Sequence, residues 1–214
     1  MTRQLLLADE LLLVAVNPRS GRLTVGPKLM GVGLGAAVLG ELILYGYVSV
    51  SQTGTVEWIP QPPDRYPRDP VGYKVAHQVA TEPQRRPLEQ WLRLLSINDI
   101  RRDVAQRMVQ SGLIQAPART GISRQFSYRT VAAADQWWWW QRVRDFLTLP
   151  DRELPEVGDR CLLGIADAIG LRASLLRDTP DEAVRILDDT RDLPGPLGHL
   201  IRHTHVITAT QTLA

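Results

Sequence analysis

The chain has 214 residues, with 25 basic and 23 acidic side chains and a net charge of +2. So even a balance does not by itself argue for nucleic acid. The single cysteine, Cys161, excludes an internal disulfide and fits a reducing cytoplasm. The length suits one domain, residues 1–214, large enough to bury a core.

Residues 5–16 (LLLADELLLVAV) are expected to form a helix with Asp9 and Glu10 on its polar side. Those two acids interrupt the apolar start, and no small-residue cleavage site follows, so the segment does not resemble a signal peptide. NPRSG at 17–21 is turn chemistry.

The stretch 31–48 (GVGLGAAVLGELILYGYV) admits three meanings. A dinucleotide loop needs G-x-G-x-x-G between strand and helix, yet Ala36 stands where the third glycine belongs and no phosphate-loop lysine is present. A membrane span would place Glu41 among hydrocarbon, which costs roughly 2.5–3.5 kcal/mol at a helix centre. A helix over 28–46, buried at the centre of a soluble core, fits best. Its small residues would let neighbours approach, and Glu41 would need a buried partner or a path to water.

Residues 47–57 alternate and are β-branched, which predicts a strand or short hairpin. Five prolines in 58–70 predict an irregular loop. A helix follows around 72–81, and Pro87 opens another, LEQWLRLLS. Asn98 is the expected N-cap of the next helix and Gly112 its C′ residue. Residues 113–129 suggest a hairpin turning near Arg119-Thr120-Gly121, with Ile122, Phe126 and Tyr128 on one face. Helices are expected over 131–147 and 156–177, and then from Pro180, with Thr179 capping and Glu182 as the N3 acid. A last helix should follow the break at 192–198. The fold class is therefore mainly α, a helical domain around a buried central helix with one or two small β-hairpins.

Three stretches together resemble the Golgi phosphoprotein 3 family. They are LLLADELLLVAVNPRSGR running into GLGAAVLGELILYGYV, then QWLRLLS at 90–96, then VAQRMVQSGLI at 104–114 leading into a hairpin. The order and spacing suit the family across roughly residues 5–180. The resemblance implies a mostly helical, cytoplasmic, non-enzymatic protein that docks peripherally on membranes. It implies binding of an anionic lipid, phosphatidylinositol 4-phosphate, and recruitment of membrane-protein tails.

In the family's lipid pocket, a tryptophan precedes the central helix and an arginine lies within its glycine-leucine motif. Two further arginines, three apart, lie later in the chain. The matching positions here are Gly26, Gly35, Asn98 and Arg101, so only Arg101 keeps the family residue. Lys28 lies near Gly26 and Arg102 lies beside Arg101, which makes Arg101, Arg102 and Lys28 the expected ligand-binding set. Arginines at a helix start suit a phosphate because free N–H groups add to their charge. Ordinary ion pairs of Arg101 and Arg102 with Asp99 or Asp103 are the bland alternative.

Four tryptophans, Trp137, Trp138, Trp139 and Trp140, stand in a row, and on a helix they would sweep about 300° of the circumference. They cannot all face one core. With Phe126 and Arg124 of the hairpin they are candidates for a membrane or partner interface, and Arg142 and Arg144 follow them. The competing class is a protein–protein adaptor or homo-oligomerising scaffold without lipid specificity. Residues 85–144 carry 11 arginines against 4 acids, and residues 145–198 carry 6 against 12. The basic part suits either an anionic surface or pairing with the acidic part. His199, His203 and His205 cluster near the C-terminus without a supporting acid, and Cys161 sits among leucines. No catalytic motif, cofactor, metal or nucleic-acid partner is expected.

Overall fold

The computed structural model describes residues 5–62, 65–119, 126–148 and 156–212, and the side chains of all of these except 119, 133–139, 211 and 212. Helix α1 (Leu7–Ala15) is followed by a turn in which Asn17 Oδ1 accepts from the N–H groups of Arg19 and Ser20. Helix α2 (Pro27–Leu44) then runs through the middle of the molecule, buried from Met30 to Leu42. A hairpin of β1 (Val48–Val50) and β2 (Val56–Trp58) pairs antiparallel, with Ser49 opposite Glu57. Helices α3 (Pro70–Thr81), α4 (Leu88–Ile97) and α5 (Ile100–Gln110) lead to a second small hairpin, β3 (Ala118–Arg119) with β4 (Phe126–Ser127). Then come α6 (Ala133–Thr148), α7 (Val157–Ala168), α8 (Arg172–Leu175), α9 (Glu182–Asp189), a 3-10 turn at Thr190–Asp192 and α10 (Gly195–Thr212). The fold is mainly α, as expected.

By length and composition α2 could cross a membrane. Its surface is instead taken up by α1, α4, α7 and α10. Small residues make this possible on several sides at once. A Cβ at Gly33 would lie 2.8 Å from Ile169 Cγ2, one at Gly35 3.2 Å from Leu95 Cβ, and one at Gly40 3.2 Å from Cys161 Sγ. Each glycine therefore admits a different neighbour at close range.

Glu41 is fully inside, and its Oε1 accepts from the Ala8 N–H at 2.8 Å. Burial raises its pKa to about 8, against the pull of Arg107. Asp9 and Glu10, expected on the polar side of α1, are buried as well. The reason is two long-range partners. Arg107 of α5 donates to Asp9 Oδ1 from Nε at 3.1 Å and from Nη2 at 2.7 Å, and its Nη1 lies 2.8 Å from Asp69 Oδ2. Arg142 of α6 donates to both oxygens of Glu10 and to Asp159 of α7. Burial raises Asp9 above the usual carboxylate range and Glu10 to about 7, with the arginines opposing. Consecutive acids on α1 thus hold α5 on one side and α6 on the other.

Several local expectations need correction. Asn98 caps the C-terminus of α4; the residue before α5 is Asp99, in the left-handed conformation (φ 56°) and without a side-chain cap bond. The segment 156–177 is two helices, because Gly170 (φ 92°) turns the chain between α7 and α8. Thr179 does not cap α9: its hydroxyl donates back to the Leu176 carbonyl, and Glu182 is the helix's first residue. Arg119, expected in the hairpin turn, is a strand residue opposite Phe126, while Thr120 and Gly121 lie outside the described residues. Ile122 and Arg124 lie outside the described residues. The basic and acidic segments meet at Arg142 and Asp159, but Arg107 and Arg142 are spent mainly on acids earlier in the chain.

Candidate anion-binding cavity

The first turn of α2 opens onto the surface. Gly26 precedes it without a side chain to cap the free N–H groups, Pro27 takes a position where its missing N–H costs nothing, and no acid occupies the turn. A helix start of this kind carries partial positive charge. Lys28 adds a full charge there and is exposed.

Helix α4 is drawn close to this end by Gly31, where a Cβ would sit 2.6 Å from Ser96 Oγ. The Ser96 hydroxyl donates to the Lys28 carbonyl at 3.4 Å. The close approach brings Arg93 and Ile97, one turn apart on α4, alongside Lys28. The left-handed Asp99 then reverses the chain so that Arg101, in the first turn of α5, returns toward the same place. Arg107, two turns on, is locked to Asp9 and Asp69 and fixes the bearing of α5.

The result is a cavity of about 630 Å³ lined by Lys28 and Gly31 of α2, Arg93, Ser96 and Ile97 of α4, Asp99, Arg101 and, from α10, Thr210. Three cations face one carboxylate. Asp99 Oδ1 lies 3.8 Å from Arg101 Nη2, a loose pair with Asp99 half in solvent. Lys28 and Arg93 make no ion pair among the described residues. Three converging cations at a helix start, in a space of ligand size, can hold a phosphate or other small anion.

Of the residues expected at a ligand site, Lys28 and Arg101 are brought together here and Arg102 is not. Arg102, the next residue of α5, is exposed and does not line the cavity. Arg93 was not anticipated. Its signal was present in QWLRLLS, where it falls on the exposed face of α4 while Trp91, Leu92 and Leu95 are buried.

The sequence profile of Golgi phosphoprotein 3 (GPP34) matches residues 7–202. The chain belongs to the Golgi phosphoprotein 3 family. The match spans every cavity residue except Thr210, and no curated protein matches the chain in direct comparison. Two of the pocket positions that the resemblance implied are glycines. Gly26 has open space around it, while Gly35 is packed against Leu95, so an arginine at 35 would meet the body of α4. The cations of the cavity come from α2 (Lys28), α4 (Arg93) and α5 (Arg101).

The other candidate residues divide differently. Phe126 is half-buried against the core, and Tyr128 is buried. Trp140 packs partly on the core; the side chains of Trp137, Trp138 and Trp139 lie outside the described residues. Arg142 is engaged with Glu10 and Asp159, and Arg144 donates to the Asp178 carbonyl at 3.1 Å, so neither is held out toward an anionic surface. The three clustered histidines diverge. His199 meets Arg202, His203 lies 3.7 Å from Glu89, and His205 lies 3.6 Å from Asp167. Among the described residues no three His, Cys, Asp or Glu side chains gather as a metal would require. Cys161 is fully buried, and burial pushes its thiol up to about 12, far from thiolate reactivity.

Proposed function

We propose that this protein is a non-catalytic, cytoplasmic, peripheral membrane protein that binds an anionic lipid headgroup of the phosphoinositide type in the cavity at the start of α2. The observation that carries this reading is the convergence of Lys28, Arg93 and Arg101 on one cavity at the open N-terminus of the central helix. Family membership supports the same reading, since the resemblance implies phosphatidylinositol 4-phosphate as ligand and membrane-protein tails as partners. The cavity accepts charge rather than performing chemistry. Arginine and lysine compensate a phosphate, and the helix start supplies directed N–H donors.

Flotation of the purified protein with vesicles containing phosphatidylinositol 4-phosphate tests the reading, set against neutral and plain anionic vesicles. Selective flotation that Lys28→Ala/Arg101→Ala abolishes and Arg102→Ala largely keeps is the expected outcome. Equal flotation with every anionic vesicle would reduce the site to a general basic surface. No flotation with any vesicle would refute membrane binding.

A further inference from the structure

Ile97 is the last residue of α4 and is 81% exposed, the most exposed large hydrophobic side chain among the described residues. Isolated exposed apolar residues are common and need no explanation. Ile97 differs in where it stands: it lines the cavity, in the company of Lys28, Arg93 and Arg101. Val206, one helical turn before the cavity-lining Thr210 on α10, is also 53% exposed. Apolar side chains bordered by cations match the layered chemistry of an anionic bilayer, where charge meets headgroups and hydrocarbon lies just beneath.

We infer that Ile97 is a membrane wedge: when the cavity takes a headgroup, the end of α4 seats in the bilayer surface and Ile97 enters the acyl boundary. This inference rests on the proposed headgroup site and extends it from a soluble anion to a lipid in its membrane. The occupant is an anionic bilayer, chosen over a second protein because Lys28 and Arg93, which make no ion pair among the described residues, flank the isoleucine. An apolar contact between proteins would leave those charges without partners.

The test separates the wedge from the headgroup site. Wild type, Ile97→Ser and Ile97→Trp are compared for partition onto phosphatidylcholine vesicles doped with phosphatidylinositol 4-phosphate, and for binding of water-soluble inositol bisphosphate. Burial of one isoleucine side chain corresponds to roughly a tenfold change in partition or more. Ile97→Ser should weaken vesicle binding by about that factor beyond any change it makes in soluble-headgroup binding, and Ile97→Trp should strengthen vesicle binding relative to soluble-headgroup binding. Variants that partition like wild type overturn the wedge and leave the headgroup site standing. A wild type that binds neither vesicle nor headgroup overturns the underlying site and the wedge with it. A wild-type dimer in solution that Ile97→Ser converts to monomer assigns Ile97 to a contact between copies and overturns the wedge.

Discussion

Glu41 keeps a proton that an exposed glutamate would lose. One guanidinium, Arg107, serves Asp9 and Asp69 directly and also faces Glu41, so there are three carboxyls for one cation. Burial works against the Arg107 charge, but the three acids together raise its pKa. The surplus is met by protonation of Glu41, whose pKa rises from 4.5 to about 8. Because the folded state binds this proton more tightly than the unfolded state, its contribution to stability is greatest in acid. It declines as pH rises between those two values. Glu10, raised to about 7, acts in the same direction over a narrower window. Glu41→Gln copies the protonated form and can still accept from the Ala8 N–H. It should be more stable than wild type by more than about 1 kcal/mol above about pH 8 and should flatten the pH dependence of thermal melting. Arg107→Met should cost about 3–5 kcal/mol in urea denaturation near neutral pH, because Asp9 is left buried and Asp69 half-buried without this cation. The cost should shrink in acid. The burial of Glu41 was legible in the sequence, since an apolar run surrounds it. That of Asp9 and Glu10 was not: their partners lie 98 and 132 residues away, beyond any local pattern.

Element α2 shows what a helix needs to be buried all round. Gly33 faces Ile169 and Leu11 so closely that a methyl group has no room. Gly33→Ala gains roughly 1 kcal/mol of helix propensity, but overpacking against a β-branched side chain costs typically 1–3 kcal/mol. The net should be loss of stability, read as a lower urea midpoint with an unchanged slope. At Gly112, φ is 73° and the N–H groups of Gly112 and Leu113 close the end of α5 on Val109 and Met108. Gly112→Ala should cost about 1 kcal/mol through the left-handed backbone. Helix existence was legible from periodicity and from these end signals. The break at Gly170 was hidden, because its immediate neighbours Ala168, Ile169 and Leu171 stay apolar through the turn. The α4–α5 junction was misjudged for a different reason. Asn98 has good capping chemistry, but α4 runs on to Ile97 and leaves Asn98 to close that helix instead.

At the scale of the molecule, the site exists only because four elements meet. Lys28 and Arg101 were legible as candidates, one near the central helix start and one at a helix N-terminus. Arg93 joins them through the close α2–α4 contact at Gly31, which no spacing rule reports. If the cavity works by charge, vesicle binding should weaken steeply as salt rises, and Arg93→Ala should weaken it as much as Arg101→Ala does. The most direct measurement is a titration of the protein with short-chain, water-soluble phosphatidylinositol 4-phosphate followed by amide NMR. The account predicts saturable shifts focused on the first turn of α2, on α4 around Arg93 and on the start of α5, and their loss in Lys28→Ala/Arg101→Ala. Absence of shifts, or shifts confined to the tryptophan helix and the second hairpin, would contradict it.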